Sequence, residues 1–261
     1  MVKRWTTYEE VSKREELNKL YVEMNLSIGI ISKKLKLGKS TVYDRLVRLK
    51  IKTIREKKIK FNNRRTDIRI PLHYSHDLSE LIGILLGDGH LTPTQLTVTL
   101  GNKEQKYVNH VANLIKKVFE ANPKIVKTTK GYFVVYLGST VIVKWLLAMG
   151  LTFNKVKSQV GVPQWIFSRN DYAKGFLRGF FDTDGSVYKL KYGLQISLTN
   201  RSIPLLKYAQ RGLNKLGFSP SEISKFHVYL TRREDIIKFF ESIVPANHKH
   251  QVRFKGFSVV K

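Results

Sequence analysis

Two short apolar segments of the same pattern constrain the fold of this chain more than any other feature. Residues 81–89 and 177–185 each carry a glycine at the third place and end in Asp-Gly. A helix that is apolar on most of its faces has to be buried. Each segment nevertheless delivers a carboxylate, Asp88 or Asp184, and a carboxylate is costly to bury without a partner. We therefore predict two buried helices whose ends share one acidic site.

The residues around the two segments repeat in the same order, about a hundred positions apart. Residues 97–100 and 195–198 alternate apolar and polar side chains, as half-buried strands do. Three further landmarks recur, which are 135–137 with 228–230, 142–145 with 236–239, and 157–160 with 249–252. Self-similarity at a fixed period indicates an internal duplication. We predict an α+β fold in which residues 77–165 and 166–261 form two pseudo-symmetric αββαββα halves.

The charge of the chain is strongly biased, with 47 Lys and Arg against 20 Asp and Glu and a formal net charge of +27. Such an excess predicts a polyanionic partner, of which nucleic acid is the most common. The chain has no cysteine, which excludes disulfides, thiolate metal ligands and cysteine nucleophiles. No apolar run approaches 18 residues, and the amino terminus lacks the apolar core of a signal peptide. We expect a cytoplasmic, nucleoid-associated protein that does not bind membranes.

Residues 1–55 have the pattern of a small helical DNA-binding domain. Apolar residues recur at helical spacing in 17–24, Ser27 can cap a second helix, and Gly38 allows a tight turn before a third. This order resembles the helix-turn-helix units of resolvases and homeodomains over residues 12–52. The resemblance implies that the third helix binds DNA, with contacts from Lys39, Thr41, Tyr43, Arg45 and Arg48. A generic three-helix bundle is the alternative.

A basic segment follows this domain. Residues 50–69 hold nine Lys and Arg and two acidic residues. We predict that residues 56–76 form a linker that follows a DNA backbone or groove, and a solvated tether is the alternative.

The two apolar segments and the repeat together resemble the paired motifs of LAGLIDADG homing endonucleases in their single-chain form. The resemblance covers about residues 77–261. It implies saddle-shaped antiparallel sheets beside two motif helices that pack along a pseudo-twofold axis. Gly83 and Gly179 fit the need for small residues between those helices. The acid at the eighth place of each motif binds metal in this family, and this role maps onto Asp88 and Asp184.

A metal at these two acids also makes physical sense. Two carboxylates a few ångströms apart repel each other, and a divalent cation relieves that repulsion. Mg²⁺ prefers carboxylate, water and phosphate oxygens, so the expected cofactor is Mg²⁺ or Mn²⁺. A single Asp-Gly pair is more typical of a turn that ends a helix. The matched pair of them favours the metal site.

The resemblance assigns four further residues to catalysis, which are Asn102, Asn200, Lys157 and Lys249. The asparagines match a polar position that orients water in relatives, although asparagine also ends many strands. The lysines match a basic residue near the scissile phosphate, where positive charge stabilises the transition state. Lys155 and Lys255 compete with them for that role. Leu86 departs from the family, because many members carry an acid at this sixth place, as the second motif does with Asp182.

The alternating strands predict which side chains face DNA. Apolar residues at positions 98, 100, 196 and 198 should face the core. The outward face then carries Thr97, Thr99, Gln195, Ser197 and Thr199. Members of the family lay this sheet into the major groove, and Ser, Thr and Gln suit contacts with bases and phosphates. Any antiparallel sheet that is solvated on one side would also place polar residues outward.

We therefore expect a site-specific endonuclease that acts as a monomer on a long double-stranded DNA site and cuts both strands. The resemblance implies cleavage across the minor groove with short 3′ overhangs. Residue 1 is not cysteine and the carboxyl end lacks His-Asn, so a free-standing or intron-encoded enzyme is expected rather than part of an intein. Two alternatives stay open, a DNA-binding regulator that does not cut and an intron RNA maturase.

Overall fold

The computed structural model describes residues 5–24, 26–51, 67–191 and 193–258. The chain divides into two units, residues 1–59 and 60–261. Most of the predicted basic linker, up to residue 66, lies outside the described residues. Within the described ranges, no helix is long and apolar enough to cross a membrane.

The amino-terminal unit is helical, as its sequence predicts. Helix α1, Thr7–Asn18, begins at Thr6, whose hydroxyl accepts a hydrogen bond from the Glu9 amide while the Glu9 carboxylate accepts one from the Thr6 amide. The chain continues as a π-helical turn over Lys19–Glu23. Helices α2, Ile28–Lys34, and α3, Lys39–Arg48, follow, with Ser27 capping α2 and Gly38 preceding α3. Their apolar faces meet in a small core of Leu17, Leu20, Tyr21, Ile31, Val42, Leu46 and Ile51.

The outer face of α3 matches the prediction except at one residue. Lys39, Tyr43 and Arg48 are exposed and Thr41 is half-buried. Arg45 is only 5% exposed, and its guanidinium lies over the ring of Trp5 at 3.5 Å from the ring centroid. The prediction that Arg45 faces outward is therefore wrong. The residue lies on the same helical stripe as the buried Val42 and Leu46, so it turns inward.

The second unit contains two halves, each led by one of the apolar helices. The first half consists of α4 (His76–Leu86), β1 (Gly89–Thr92), β2 (Gln95–Leu100), α5 (Gln105–Phe119), β3 (Lys124–Lys127), β4 (Phe133–Gly138) and α6 (Thr140–Ala148). The second half consists of α7 (Asn170–Asp184), β5 (Gly185–Leu190), β6 (Gly193–Thr199), α8 (Ile203–Lys215), β7 (His227–Leu230), α9 (Arg233–Ser242) and α10 (His248–Ser258). Both sheets are antiparallel, with strand orders β1-β2-β4-β3 and β5-β6-β7 in the part of the chain that the structure describes. The predicted α+β class and two-half layout are confirmed.

The second half lacks a counterpart of β3 among the described residues. Ser221 takes over part of the pairing there: its amide donates to the Tyr229 carbonyl at 2.8 Å, and its hydroxyl accepts from the Tyr229 amide at 3.0 Å. Pro220, next to it, has no amide hydrogen for a ladder. The full αββαββα order predicted for both halves therefore holds only for the first.

The ladder registers correct the alignment of the two halves. Gly89 pairs with Val98, whereas Gly185 pairs with Leu198, so the second hairpin is four residues longer. Val98 and Leu198 then pair with Val135 and Val228, which are the repeat landmarks expected from the sequence. In consequence Asn200 corresponds to Leu100. The pairing of Asn102 with Asn200 that the sequence indicated is two residues out of register.

The strand faces follow the predicted alternation, with one exception. The four apolar residues predicted to face the core are buried, and Thr99 and Thr199 are exposed while Thr97 and Gln195 are half-buried. Ser197 is only 4% exposed, so the prediction that it is free to meet DNA is wrong. Tyr229 is its cross-strand neighbour and the Tyr188 side chain hydrogen-bonds to it, so two larger side chains cover this small one.

Helices α4 and α7 pack with their backbones in direct contact. A Cβ atom added at Gly83 would lie 2.8 Å from the Phe180 amide nitrogen and closer still to a carbonyl oxygen of α7. A Cβ at Gly179 would lie 2.9 Å from the Ile84 amide nitrogen. Real Cβ atoms do not approach other atoms so closely. Glycine at these places therefore sets the distance between the two helices, and with it the distance between the groups at their ends.

Candidate active site

The two predicted acids lie where the packed helices end. Helix α4 ends at Leu86 and Gly87, directly before Asp88, and Asp184 is the last residue of α7. A Cβ at Gly87 would collide with the Thr183 side chain and would lie 3.4 Å from the carboxyl carbon of Asp184. Glycine at 87 thus lets the end of one helix lie against the carboxylate of the other.

The two carboxylates influence each other and share two lysines. Burial raises the pKa of Asp184 to about 6, with a contribution from the Asp88 charge, while a hydrogen bond from Asn200 and the charges of Lys155 and Lys249 lower it. Asp88 is open to solvent on one side and crowded by protein on the other. Partial burial raises its pKa, and Lys249 and then Lys155 oppose the rise. These two acids and two lysines therefore form one electrostatic cluster.

Of the lysines that compete in the first half, Lys155 reaches the site. Its ammonium donates hydrogen bonds to the carbonyl oxygens of Leu85, at 3.0 Å, and Gly87 at the end of α4. Burial lowers its pKa, and the charges of both motif acids oppose that shift. Lys157 is exposed, and its backbone amide donates to the Asn154 side chain at 3.1 Å. The structure thus favours Lys155 over the predicted Lys157.

In the second half the predicted Lys249 does lie at the site. Its ammonium is 2.7 Å from a carboxylate oxygen of Glu104, which belongs to the first half. The alternative candidate, Lys255, is exposed on α10. The two lysines of the cluster therefore come from places that are not equivalent in the repeat.

The two predicted asparagines differ in the same way. The Asn200 amide donates to an Asp184 carboxylate oxygen at 2.6 Å, and its own oxygen accepts from the Ser202 amide at 2.8 Å. These bonds fix the rotamer of Asp184. Asn102 is exposed in the turn after β2, beside Gly131. The structure brings Asn200 to the site and leaves Asn102 outside it.

Two residues of the site were missed by sequence reasoning, Glu104 and Asn247. Glu104 accepts hydrogen bonds from the Gly101 amide at 2.8 Å and from the Asn247 side chain at 3.0 Å. Burial alone would raise the pKa of Glu104. The hydrogen bonds from Lys249, Asn247 and Gly101, together with the Lys249 charge, outweigh burial and lower this pKa. Equal spacing from the motif acid is the signal that could have found Glu104: it follows Asp88 by sixteen residues, as Asn200 follows Asp184, although the strand ladders align Asn200 with Leu100.

Asp182, the acid at the sixth place of the second motif, is fully buried. It accepts hydrogen bonds from the backbone amides of Ala246, at 2.8 Å, and Asn247, at 3.0 Å. These bonds hold the chain just before α10, which carries Lys249. Burial raises the pKa of Asp182 to about 7. The two hydrogen bonds oppose this rise, and the charge of Glu80 adds to it by a smaller amount. In the first half the equivalent Leu86 is buried among apolar side chains.

Asp182 should make folding stability fall as the pH rises from about 4 to about 7. Its carboxyl keeps a proton in the folded state up to about pH 7, well above its ordinary pKa of 3.8, so the folded state loses stability between those values. We expect urea titrations to show a shallower decline with pH for Asp182→Asn than for the unsubstituted protein. Asp171→Asn, at an exposed acid on α7, is the control and should keep the original slope. Equal slopes for all three proteins would contradict the assignment.

The donor set at the helix ends fits a hard divalent cation. Among the described residues no group of three or more His, Asp and Glu could hold a metal ion by itself. Two carboxylates with raised pKa values nevertheless suit a cation such as Mg²⁺, which completes its shell with water and phosphate oxygens. Such a cation would offset the mutual repulsion that these two acids carry.

Two family models match the second unit. The model described as the WhiA LAGLIDADG-like domain matches residues 79–159, and the model described as the LAGLIDADG-like domain matches residues 171–244. Together they cover more than half of the chain and both motif helices. The chain belongs to the LAGLIDADG family. The resemblance noted from the two nine-residue segments is thereby confirmed.

Two solved structures resemble this chain in fold. A structure of the homing endonuclease I-DmoI in complex with DNA and Ca has a TM-score of 0.50 and 17% identity, and the match covers 68% of this LAGLIDADG protein and 96% of that chain. Full-length DUF199/WhiA from Thermatoga maritima has a TM-score of 0.47 and 18% identity, over 74% of this chain and 63% of that one. At 17% identity the likeness to the I-DmoI structure concerns the fold alone.

Matches with curated proteins cover only small parts of them. The ribonucleoside-diphosphate reductase NrdEB subunit alpha of Bacillus subtilis is 31% identical over 159 residues, which is 54% of this LAGLIDADG protein and 14% of that one. The glutamine–fructose-6-phosphate aminotransferase of Methanocaldococcus jannaschii is 25% identical over 136 residues, 51% of this chain and 12% of that protein. The chain thus spans about an eighth of the length of these relatives.

Proposed function

We propose that this LAGLIDADG protein is a divalent-metal-dependent endonuclease that hydrolyses phosphodiester bonds in both strands of double-stranded DNA. The observation that carries the proposal is the meeting of Asp88 and Asp184 at the ends of two helices packed through glycine, with Lys155 and Lys249 beside them. A retired site would not need two acids held together against their own repulsion.

Each residue has a distinct part in this proposal. Asp88 and Asp184 hold Mg²⁺ or Mn²⁺, which supplies Lewis-acid stabilisation and a water of lowered pKa when it is bound. Asn200 keeps the Asp184 carboxylate in one orientation through its 2.6 Å hydrogen bond. Lys155 and Lys249 place two positive charges where the phosphate of each strand gains negative charge in the transition state.

DNA binding rests on charge and on the outer faces of the two sheets. The net charge of +27 suits a phosphate backbone, and the accessible Thr97, Thr99, Gln195 and Thr199 suit contacts within a groove. Since one chain supplies both halves, it would act as a monomer on an asymmetric site. The curated relatives differ in named activity and match over a small part of their length, which supports a module that recurs in unrelated proteins.

The test is selection followed by cleavage. Duplexes from a randomised library are selected by binding in Ca²⁺ and then incubated with Mg²⁺ or Mn²⁺, and both strands are resolved on denaturing gels. The proposal predicts cuts on the two strands at a fixed short offset. Tight, specific binding without cleavage in either metal would contradict it.

A second candidate is a DNA-binding regulator that does not cut. The observation that favours it is the match of the WhiA LAGLIDADG-like domain model to residues 79–159, and the loss of an acid at Leu86 is in keeping with it. A regulator predicts specific binding in the same selection and no product with either metal. It also predicts that metal leaves the affinity for DNA unchanged.

The helix pair α2 and α3 is proposed as a second DNA-binding element. Replacing Lys39 and Arg48, both exposed on α3, with alanine should lower the affinity for the selected duplex about five- to tenfold at ~0.1 M salt. Fluorescence anisotropy measures this. The double substitution of the exposed Arg14 and Lys19 is the control, because it removes the same charge from another helical face. If both double variants lost the same affinity for DNA, the effect would come from net charge alone, which would contradict a recognition role for α3.

A further inference from the structure

We propose that Glu104 is a positioning residue that holds the ammonium group of Lys249 at the active site across the interface of the two halves. The inference rests on the proposed function for its catalytic consequence, and its geometry stands on its own. Glu104 lies directly before α5 in the first half, and Lys249 lies in the first turn of α10 in the second. The positions that correspond to Glu104 and Lys249 in the repeat do not form a second acid–lysine pair.

The Glu104 carboxylate is itself fixed before it meets the lysine. One oxygen accepts the Gly101 amide at 2.8 Å, and the other accepts both the Asn247 side chain at 3.0 Å and Lys249 at 2.7 Å. Partners on both oxygens prevent rotation of the carboxylate. A carboxylate that cannot rotate presents one fixed place for the ammonium, which a flexible four-carbon side chain would not find by itself.

The main chain of Lys249 is anchored by the same network. Asn247 is 2% exposed, its side-chain oxygen accepts from the Lys249 amide at 3.2 Å, and its side-chain nitrogen also donates to the Asp182 carbonyl at 3.1 Å. The lysine is therefore held at its backbone and at its charged end. Among the described residues, Glu104 alone forms an ion pair with the Lys249 ammonium, and it belongs to the opposite half.

The position so fixed matters for the charges of the site. Lys249 attracts both motif carboxylates, Asp88 and Asp184, whereas the Glu104 charge repels Asp88. If the lysine left, both motif acids would lose an attractive charge. Lys155, in contrast, is held by the carbonyl oxygens of α4 and needs no acid. Removal of Glu104 should therefore release one of the two lysines and leave the other in place.

The first experiment measures the availability of the Lys249 amine without metal or DNA. The protein is treated briefly with an amine-acylating reagent, and the modification of each lysine is followed by peptide mass spectrometry. We expect Glu104→Gln to raise the rate at Lys249 about fivefold and to leave the rate at Lys155 unchanged. Glu120→Gln, at an exposed acid paired with Arg69, is the matched control and should change neither rate. Glu104→Asp, with a shorter reach, should give an intermediate rate.

The second experiment follows the two DNA strands separately under single turnover. We expect Glu104→Gln to slow one strand at least about tenfold more than the other, so that nicked DNA accumulates, with affinity in Ca²⁺ unchanged. Glu104→Asp should restore part of the rate. A loss that is merely structural would slow both strands equally and lower the unfolding midpoint.

The two readouts separate the inference from the proposed function. A Lys249 rate that is the same in folded Glu104→Gln as in the unsubstituted protein would overturn the inference, whatever the cleavage result. If Glu104→Gln speeds acylation of Lys249 but the unsubstituted protein never cuts DNA, the proposed nuclease function is overturned and the positioning role of Glu104 stands.

Discussion

Asp88→Asn and Asp184→Asn are each expected to lower double-strand cleavage at least about a thousandfold while leaving DNA affinity in Ca²⁺ within about threefold. Asparagine keeps the shape of the side chain and removes its charge. Because the two carboxylates lie at adjoining helix ends and feel each other's charge, either loss would leave a bound cation with one acid in place of two. The residues proposed to face DNA lie on the sheets and remain unchanged, so binding should persist.

The measurement is single-turnover cleavage with each strand labelled separately, beside a binding titration in Ca²⁺. Glu234→Gln, at an exposed acid on α9, is the control and should cut normally. The metal assignment fails if either asparagine variant cuts both strands at the original rate. Loss of cleavage together with loss of binding would instead indicate a damaged fold, which the unfolding midpoint would reveal.

Gly179→Ala is expected to lower the free energy of unfolding by about 3 kcal/mol, near the upper end for overpacking. The new methyl group would meet the backbone of α4 at Glu80 and Ile84. A backbone cannot turn aside as a flexible side chain can, so the helices must separate. Because their separation also sets the spacing of Asp88 and Asp184, cleavage should fall as well.

Urea denaturation measures this loss, and a second glycine provides the control. Gly256 lies in α10 with nothing within 4 Å of an added Cβ, so Gly256→Ala should be neutral or slightly stabilising, as alanine favours helices. Gly83→Ala, which meets the backbone of α7, should behave like Gly179→Ala. Equal stability of the Gly179→Ala and Gly256→Ala proteins would show that the helix interface is looser than the structure indicates.

Much of the fold could be predicted because it depends on local pattern. The two apolar helices, the alternating strands and the order of the halves follow from periodicity, and periodicity reflects which side chains must leave water. Failures occurred where burial depends on neighbours from elsewhere in the chain. Ser197 has the right alternation for the outer face, but tyrosines on adjacent strands cover it. Arg45 turned inward because Trp5, forty residues earlier, accepts its guanidinium.

The candidate site divides in the same way. Asp88, Asp184, Asn200 and Lys249 were predicted from motif and repeat, and the structure brings them together. The repeat indicated Lys157, because it matches Lys249 in sequence. The chain after α6 instead packs against the end of α4, where Leu151, Phe153 and Lys155 line a small cavity with Leu85 and His90. Residue spacing in the sequence does not predict this contact.

The sequence by itself determined that two glycine-containing apolar helices end in acids, that the halves repeat, and that the surface is strongly basic. These properties depend on residue type and spacing alone. Only the tertiary structure decided that the halves are unequal at the site, with Lys155 held by helix carbonyls on one side and Lys249 held by Glu104 on the other. The physical reason is distance along the chain: Lys155 meets the end of α4 and Lys249 meets Glu104 through contacts between residues 70 or more positions apart, which local sequence pattern does not contain.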